Sequence, residues 1–415
     1  KEELESLGAK IEWGVTWDTT WVHLETPASS FGPALEIVAR LLVVENVRPD
    51  AFKKAQDALI ARAKTAKLSA AEQADAAFLK AIYGDHPYGH NLEGDAVSLS
   101  GIKQGDAYDF FHRFYIANNA AAVVTGNISH ERVMQVFKVL FGGWVKGQIV
   151  PATFRQPTQT AQLKLVKIPL ADAANVELRG GLIGVKQTDP DFLATLAIAR
   201  LLTNRLAGSA VNFSIKSEPR ILSGPFYFST SASSDQAQEF SRRATEAFAS
   251  LANATVPEQE LAAAKSALVA EYSARPVEYN LREIEMFLLP RNLPVEMSAK
   301  IGAISAADVQ RVAKRLLDAN ALTVVVVGKD PTAVLRRFSA MDEDAAGVIR
   351  KMNAVPEPKR RAAAKALHLD QWKEWATATG VAMAEDLGLD RDRVCDALDR
   401  HFAEHCEILV RDLAA

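Results

Sequence analysis

The chain's apolar positions change period several times, and each change marks an element. Residues 2–7 read as the end of a helix. Ile11, Trp13, Val15 and Trp17 then alternate with their neighbours, and Trp21 to Leu24 resumes the extended pattern after Asp18-Thr19-Thr20, which predicts a β-hairpin. Pro33 opens an apolar helix to Leu42, Pro49-Asp50 opens a second to about Lys67, and Ser69 caps a third ending near Tyr83. After the loop Gly84–His90 come a helix over 105–115, a strand over 119–125 and a helix over 130–141. Gly142-Gly143, Pro151 and Pro157 then punctuate the chain as a linker.

A second passage of the same kind follows. The pattern predicts strands near 161–168 and 175–184, helices near 190–205 and 209–217, and a strand over 225–232. Helices over 235–251, 257–273, 277–289 and 305–318, a strand over 321–327 and a helix over 331–340 complete it. Asp106, Ala117, Asn118, Val124 and Gly126 recur as Asp308, Ala319, Asn320, Val326 and Gly328, at a constant offset of 202 residues. A constant register over a helix, a short turn, an apolar strand and a glycine argues for two copies of one module. The expected division is therefore a first module over 1–145, a linker over 146–160, a second module over 161–340, a linker over 341–361 and a helical tail over 362–415. Strands separated by paired helices, with hairpins present, predict an α+β fold. In it each module is a largely antiparallel sheet with helices packed on one face.

Composition narrows the function classes. The 415 residues carry a formal net charge of -3 and 48% apolar residues, so no basic field points to nucleic acid. The longest apolar run, Ala321–Val327, is of strand length, so no transmembrane segment is expected. Two cysteines, Cys395 and Cys406, cannot staple the fold. Lys1 opens in the middle of a helical pattern, so an upstream piece is expected to be missing. The compartment stays open, with a periplasmic or secreted protein among the alternatives.

Several segments, taken in order, resemble the insulinase/pitrilysin peptidases, or inverzincins. Leu4-Glu-Ser-Leu-Gly-Ala-Lys-Ile11 resembles the end of that family's first helix and the edge strand after it. Tyr83-Gly-Asp-His-Pro-Tyr-Gly89 with the later Gly94 resembles a recurrent loop, and Asn118–Asn127 resembles a recurrent strand. In the second module, Leu201–Leu206 and Pro219–Tyr227 resemble a segment in which the family writes an Arg, a Gly four residues on and a Tyr three after that. Here these are Arg220, Gly224 and Tyr227. Active relatives carry His-x-x-Glu-His in the first module, with the two His on zinc and the Glu as general base. A further Glu roughly 70 to 80 residues on completes the ligand set.

This sequence departs from that pattern. It begins after the helix that would carry the motif. Counting back from Tyr83-Gly84, the distant Glu falls on Arg62, with Ala61 beside it. A guanidinium is permanently charged, offers no lone pair and repels a dication. The resemblance therefore implies a non-catalytic half or subunit, metallopeptidase-like but inactive alone. It would hold no cofactor of its own and would pair as a heterodimer with a zinc-bearing homologous subunit or N-terminal half. By the same resemblance, Arg220 and Tyr227, with Gly224 between them, reach toward peptide substrate and donate hydrogen bonds to an oxygen gaining negative charge.

Other features compete with that reading. Lys10–Thr16 would bind peptide by strand addition if its edge is open, and otherwise is an internal strand; Trp13 and Trp17 are either core anchors or subsite walls. His401-Phe-Ala-Glu-His405 matches the inverzincin pattern, with both histidines one helical turn apart, and Cys406 and Glu407 adjoin it. It lies in the tail, and only ten residues follow it, too few for a distant third ligand in the family's place. The alternatives are a zinc peptidase using His401, Glu404 and His405, or an amphipathic helix with solvated histidines. A third class of function, a structural scaffold subunit, also fits. His86 and His90 flank Pro-Tyr-Gly and read as structural, and Gly180-Gly181 lacks the rest of a phosphate loop.

Overall fold

The computed structural model describes residues 2–43, 47–65, 67–149, 154–159, 163–317, 321–329, 331 and 334. The leading part is built from α1 (Glu2–Ser6), β1 (Lys10–Val15), β2 (Thr20–Glu25), α2 (Phe31–Val43), α3 (Pro49–Thr65), α4 (Ala70–Tyr83), α5 (Ala96–Gly101), α6 (Gln104–Phe114) and α7 (His130–Phe141). The following part holds β3 (Lys164–Pro169), β4 (Val176–Ile183), α8 (Phe192–Leu206), β5 (Phe213–Ser217), β6 (Pro225–Ala232), α9 (Ser234–Asn253), α10 (Glu258–Ala274), α11 (Val277–Phe287), α12 (Leu293–Gly302), α13 (Ala306–Leu316) and β7 (Thr323–Gly328).

β1 and β2 form the hairpin expected from their alternation, with Trp13 opposite Val22. The larger sheet has the order β3-β7-β4-β6-β5. Only the β3–β7 pair is parallel, so the sheet is largely antiparallel and the α+β class holds. Its even-numbered positions, Leu178, Phe226, Phe228, Val324 and Val326, face the main core with α8, α9 and α13. The period of two sends Val325, Val327 and Tyr227 to the other face, where Ala74 and Phe78 of α4 cover them. A helix from the leading part thus closes the second sheet. Gly180 and Gly181 make that sheet's close packing possible: a Cβ at Gly180 would lie 2.1 Å from the Phe228 ring, and one at Gly181 2.5 Å from the Tyr227 Cβ.

Two expected elements differ. The helix expected over 209–217 is instead strand β5, because Phe213 and Ile215 alternate with polar residues and β6 is there to pair with them, Ile215 opposite Phe228. The strand expected over 119–125 is not formed. Ala117–Asn119 makes a single 3-10 turn, and the apolar residues after it are largely exposed, without a ladder partner among the described residues. Its counterpart β7 lies between β3 and β4 and has all six residues buried. A strand exists only where a neighbour takes its hydrogen bonds. The two segments compared in the sequence agree where the signal is local: Asp106 accepts from the Lys103 N–H at 2.7 Å, and Asp308 accepts from the Ser305 N–H at 3.0 Å, each closing the first turn of its helix.

Candidate functional site

Arg220 and Gly224 lie in the turn between β5 and β6, residues 218–224, and Tyr227 lies at the start of β6. The ends of the turn are tied by the Glu218 N–H donating to the Pro225 carbonyl at 3.0 Å. Gly224 is required there, since a Cβ would stand 1.9 Å from the Glu218 carbonyl oxygen. The Gly184 N–H donates to the Gly224 carbonyl at 2.7 Å and pins the turn to the end of β4.

Arg220 points inward and is 3% exposed. Its guanidinium carbon lies 5.0 Å from the Trp17 ring centroid, 5.5 Å from that of Tyr83 and 4.7 Å from that of Tyr88. A desolvated guanidinium on aromatic faces gains about 2 kcal/mol per good contact. Its Nη2 pairs with Glu218 at 3.5 Å, whereas Nη1 is buried without a hydrogen-bond partner. The second Glu218 oxygen accepts from the Tyr227 hydroxyl at 2.7 Å. Arg220, Glu218 and Tyr227 therefore form one chain of contacts, with Glu218 in the middle and partly exposed. Burial first, and the Glu218 charge second, raise the Tyr227 hydroxyl well above the ordinary tyrosine range, so it stays a donor.

The leading part grips the same turn. The Tyr88 hydroxyl donates to Asp18 Oδ1 at 2.6 Å and accepts from the Leu222 N–H at 3.1 Å, while Asp18 Oδ2 accepts from the Ile221 N–H at 3.1 Å. The Tyr83 hydroxyl donates to the Ser223 carbonyl at 2.9 Å, and Gln156 Oε1 accepts from the Ser223 N–H at 3.1 Å. Burial raises both tyrosine hydroxyls far above their usual range, which keeps them protonated as these bonds require. Trp17 is thus a wall of the Arg220 cage, whereas Trp13 is 72% exposed and is no core anchor. Sequence reasoning did not single out Glu218, Asp18, Tyr83 or Tyr88 as parts of the site. The available signal was the concentration of Tyr, His and Pro in 83–90 and a carboxylate two residues before Arg220.

Arg62 lies on the exposed face of α3, and its Nη2 pairs with Glu93. The residue on which the count back from Tyr83-Gly84 falls is therefore in a solvated ion pair, and a guanidinium does not fit a zinc ion. Among the described residues no group of three or more His, Cys, Asp or Glu is placed to hold a metal. His401, Glu404, His405 and both cysteines lie outside the described residues, as do the linker over 341–361 and the tail. No described helix is long and apolar enough to cross a membrane.

A family model described as the peptidase M16 inactive domain matches residues 101–268. The fold is that of a crystal structure of a peptidase M16 inactive domain from Pseudomonas fluorescens, with a TM-score of 0.68 at 19% identity over 79% of this chain and 82% of that one. A protease from Helicobacter pylori also gives a TM-score of 0.68, at 15% identity over 79% and 84%. A chain of complex III2 from Candida albicans gives 0.66, at 14% identity over 78% and 82%. Uncharacterized zinc proteases of Mycobacterium leprae and Mycobacterium tuberculosis are 20% identical over 141 residues, 34% of this chain. The match spans 32% of the length of each of those relatives. Residues 101–268 thus match the inactive-domain model, the chain has the fold of such a domain, and the resemblance to the insulinase/pitrilysin peptidases is borne out.

Proposed function

We propose that this chain is the non-catalytic half or subunit of an insulinase/pitrilysin-like peptidase, binding peptide and completing the chamber of a zinc-bearing partner. The observation that supports this reading is Arg62, a cation paired to Glu93 at the position where the count along the sequence would put a zinc ligand. Peptide would bind along β1, whose second edge has no partner strand among the described residues and which presents the exposed Trp13. Gly224, buried, would hold the turn, and Arg220, itself buried, would act through Glu218 on the Tyr227 hydroxyl, the half-buried group that would reach substrate. In this arrangement the partner would supply the zinc, and the Tyr227 hydroxyl, whose one proton goes to Glu218 in the free chain, would turn it to the substrate oxygen when peptide binds.

The test is to mix the purified chain with a zinc-bearing homologue from the same source. Association in size-exclusion chromatography together with faster peptide cleavage is the expected result, and the absence of both overturns the proposal. Tyr227→Phe should then lower cleavage by the mixture about 100-fold, the usual effect of losing one oriented donor. A scaffold role predicts association with no change in cleavage on that substitution.

A further inference from the structure

His86 belongs to neither the candidate site nor a metal cluster, yet it stands against two of the three rings that hold Arg220. Its ring centroid is 5.9 Å from that of Tyr83 and 4.9 Å from that of Tyr88. Its Nδ1 accepts from the Tyr88 N–H at 3.1 Å and so caps the short turn Pro87–Gly89. That bond requires Nδ1 to be unprotonated, which puts the proton of the neutral ring on Nε2. Nε2 is itself buried and has only the Arg155 backbone near it, outside good hydrogen-bond geometry, while Arg220 Nη1 is buried without a hydrogen-bond partner.

We propose that His86 makes the junction between the leading part and the β5–β6 turn sensitive to pH, tight when the imidazole is neutral and loosened when it takes up a proton. A proton on Nδ1 removes the acceptor that orders Tyr88. It also places a second cation on the aromatic rings that Arg220 already occupies. Tyr88 is the residue that clamps Asp18 and the Leu222 N–H, so disorder there passes directly to the turn.

The charged groups around His86 decide the sign. From the β5–β6 turn come Arg220 and Glu218; from the β1–β2 turn, Asp18; from α4, Tyr83; from its own loop, Asp85, Tyr88 and His90; from the segment after residue 153, Phe154 and Arg155. Asp18 favours the charged ring, but it is committed to Tyr88 and Ile221, and Glu218 is committed to Arg220 and Tyr227. Asp85 is exposed and paired with Lys80. Burial is the largest influence on His86 and, with Arg220 and His90, outweighs the Arg155 backbone and Asp18, which favour the charged ring, so its pKa lies below the ordinary histidine value. A group depressed in the folded state stabilises it fully above the unfolded pKa, near 6.5, and the contribution fades as pH falls below that.

Hydrogen exchange of the intact chain, followed from about pH 7.5 to about pH 5 across the histidine range, tests this. After correction for intrinsic exchange, the Ile221 and Leu222 amides should lose protection by up to about tenfold per pH unit below pH 6.5, the limit for one linked proton. His86→Asn retains a side-chain acceptor for the Tyr88 N–H and does not titrate, so its protection should be flat over this range. His90→Asn should behave as the unmodified chain. Loss of protection that persists unchanged in His86→Asn overturns the proposal, as does flat protection in the unmodified chain. Should His86→Asn not fold, NMR titration of the unmodified chain decides: a His86 imidazole titrating at or above about 6.5 overturns the proposal, and one below it upholds it.

Discussion

Asp18 and Tyr88 are 70 residues apart in sequence and share a 2.6 Å hydrogen bond beneath the turn that carries Arg220. Each of them also takes a backbone N–H of that turn, Asp18 from Ile221 and Tyr88 from Leu222. The pair therefore works as a clamp, with one side of each group on the partner and the other on the second part of the chain. Removing the Tyr88 hydroxyl leaves an Asp18 oxygen and the Leu222 N–H unmatched. Tyr88→Phe should lose about 1–3 kcal/mol of stability, read as a lower urea midpoint with an unchanged slope. An unchanged midpoint would mean that water replaces the hydroxyl without loss.

Gly224 has no room for a side chain. The carbonyl that a Cβ would meet belongs to Glu218, so relief requires moving the backbone that carries Glu218 away from Arg220 and Tyr227. Gly224→Ala should cost about 3 kcal/mol and should weaken the Arg220 stacking as well. Thermal unfolding measures the first effect, and the near-ultraviolet circular dichroism of Trp17, Tyr83 and Tyr88 reports the second. A variant with native melting and native aromatic signal would sink this account of the turn.

Asp191, at the start of α8, joins that helix to α13. Its carboxylate accepts from Arg311 at 2.9 and 2.7 Å, and Arg315 lies 3.1 Å away. The Arg311 hydrogen bonds are the largest influence and lower its pKa from the ordinary aspartate value. A depressed carboxylate stabilises the fold above its unfolded pKa and ceases to do so as pH falls through its folded value. Asp191→Asn should therefore melt below the unmodified chain near pH 7, with the gap closing in the acid range below about pH 4. Both arginines are about half exposed, so the gap is modest and shrinks with added salt. Melting curves over pH check this, and a gap that stays constant into acid removes the ion pair as its source.

Local signals in the sequence carried furthest. The β1–β2 alternation and the Ser69 cap with Glu72 are readable because each is settled within a few residues. The segment 209–217 misled because a short amphipathic stretch fits both periods, and only the presence of β6 selects a strand. The stretch 119–125 misled in the opposite way: its composition favours a strand, but no described neighbour completes its ladder. The spacing Arg220-Gly224-Tyr227 marked the right turn, yet it could not tell that Arg220 is enclosed. The rings that enclose it come from residues more than a hundred positions earlier.

By itself, the sequence determined that this protein is an α+β chain resembling the insulinase/pitrilysin peptidases and that an arginine stands at position 62, because side-chain chemistry and periodicity are properties of the residues alone. Only the tertiary structure decided that α4 closes the second sheet and that Trp17, Tyr83 and Tyr88 converge on Arg220. Such contacts join distant segments, and burial, stacking and hydrogen-bond partners exist only once those segments meet.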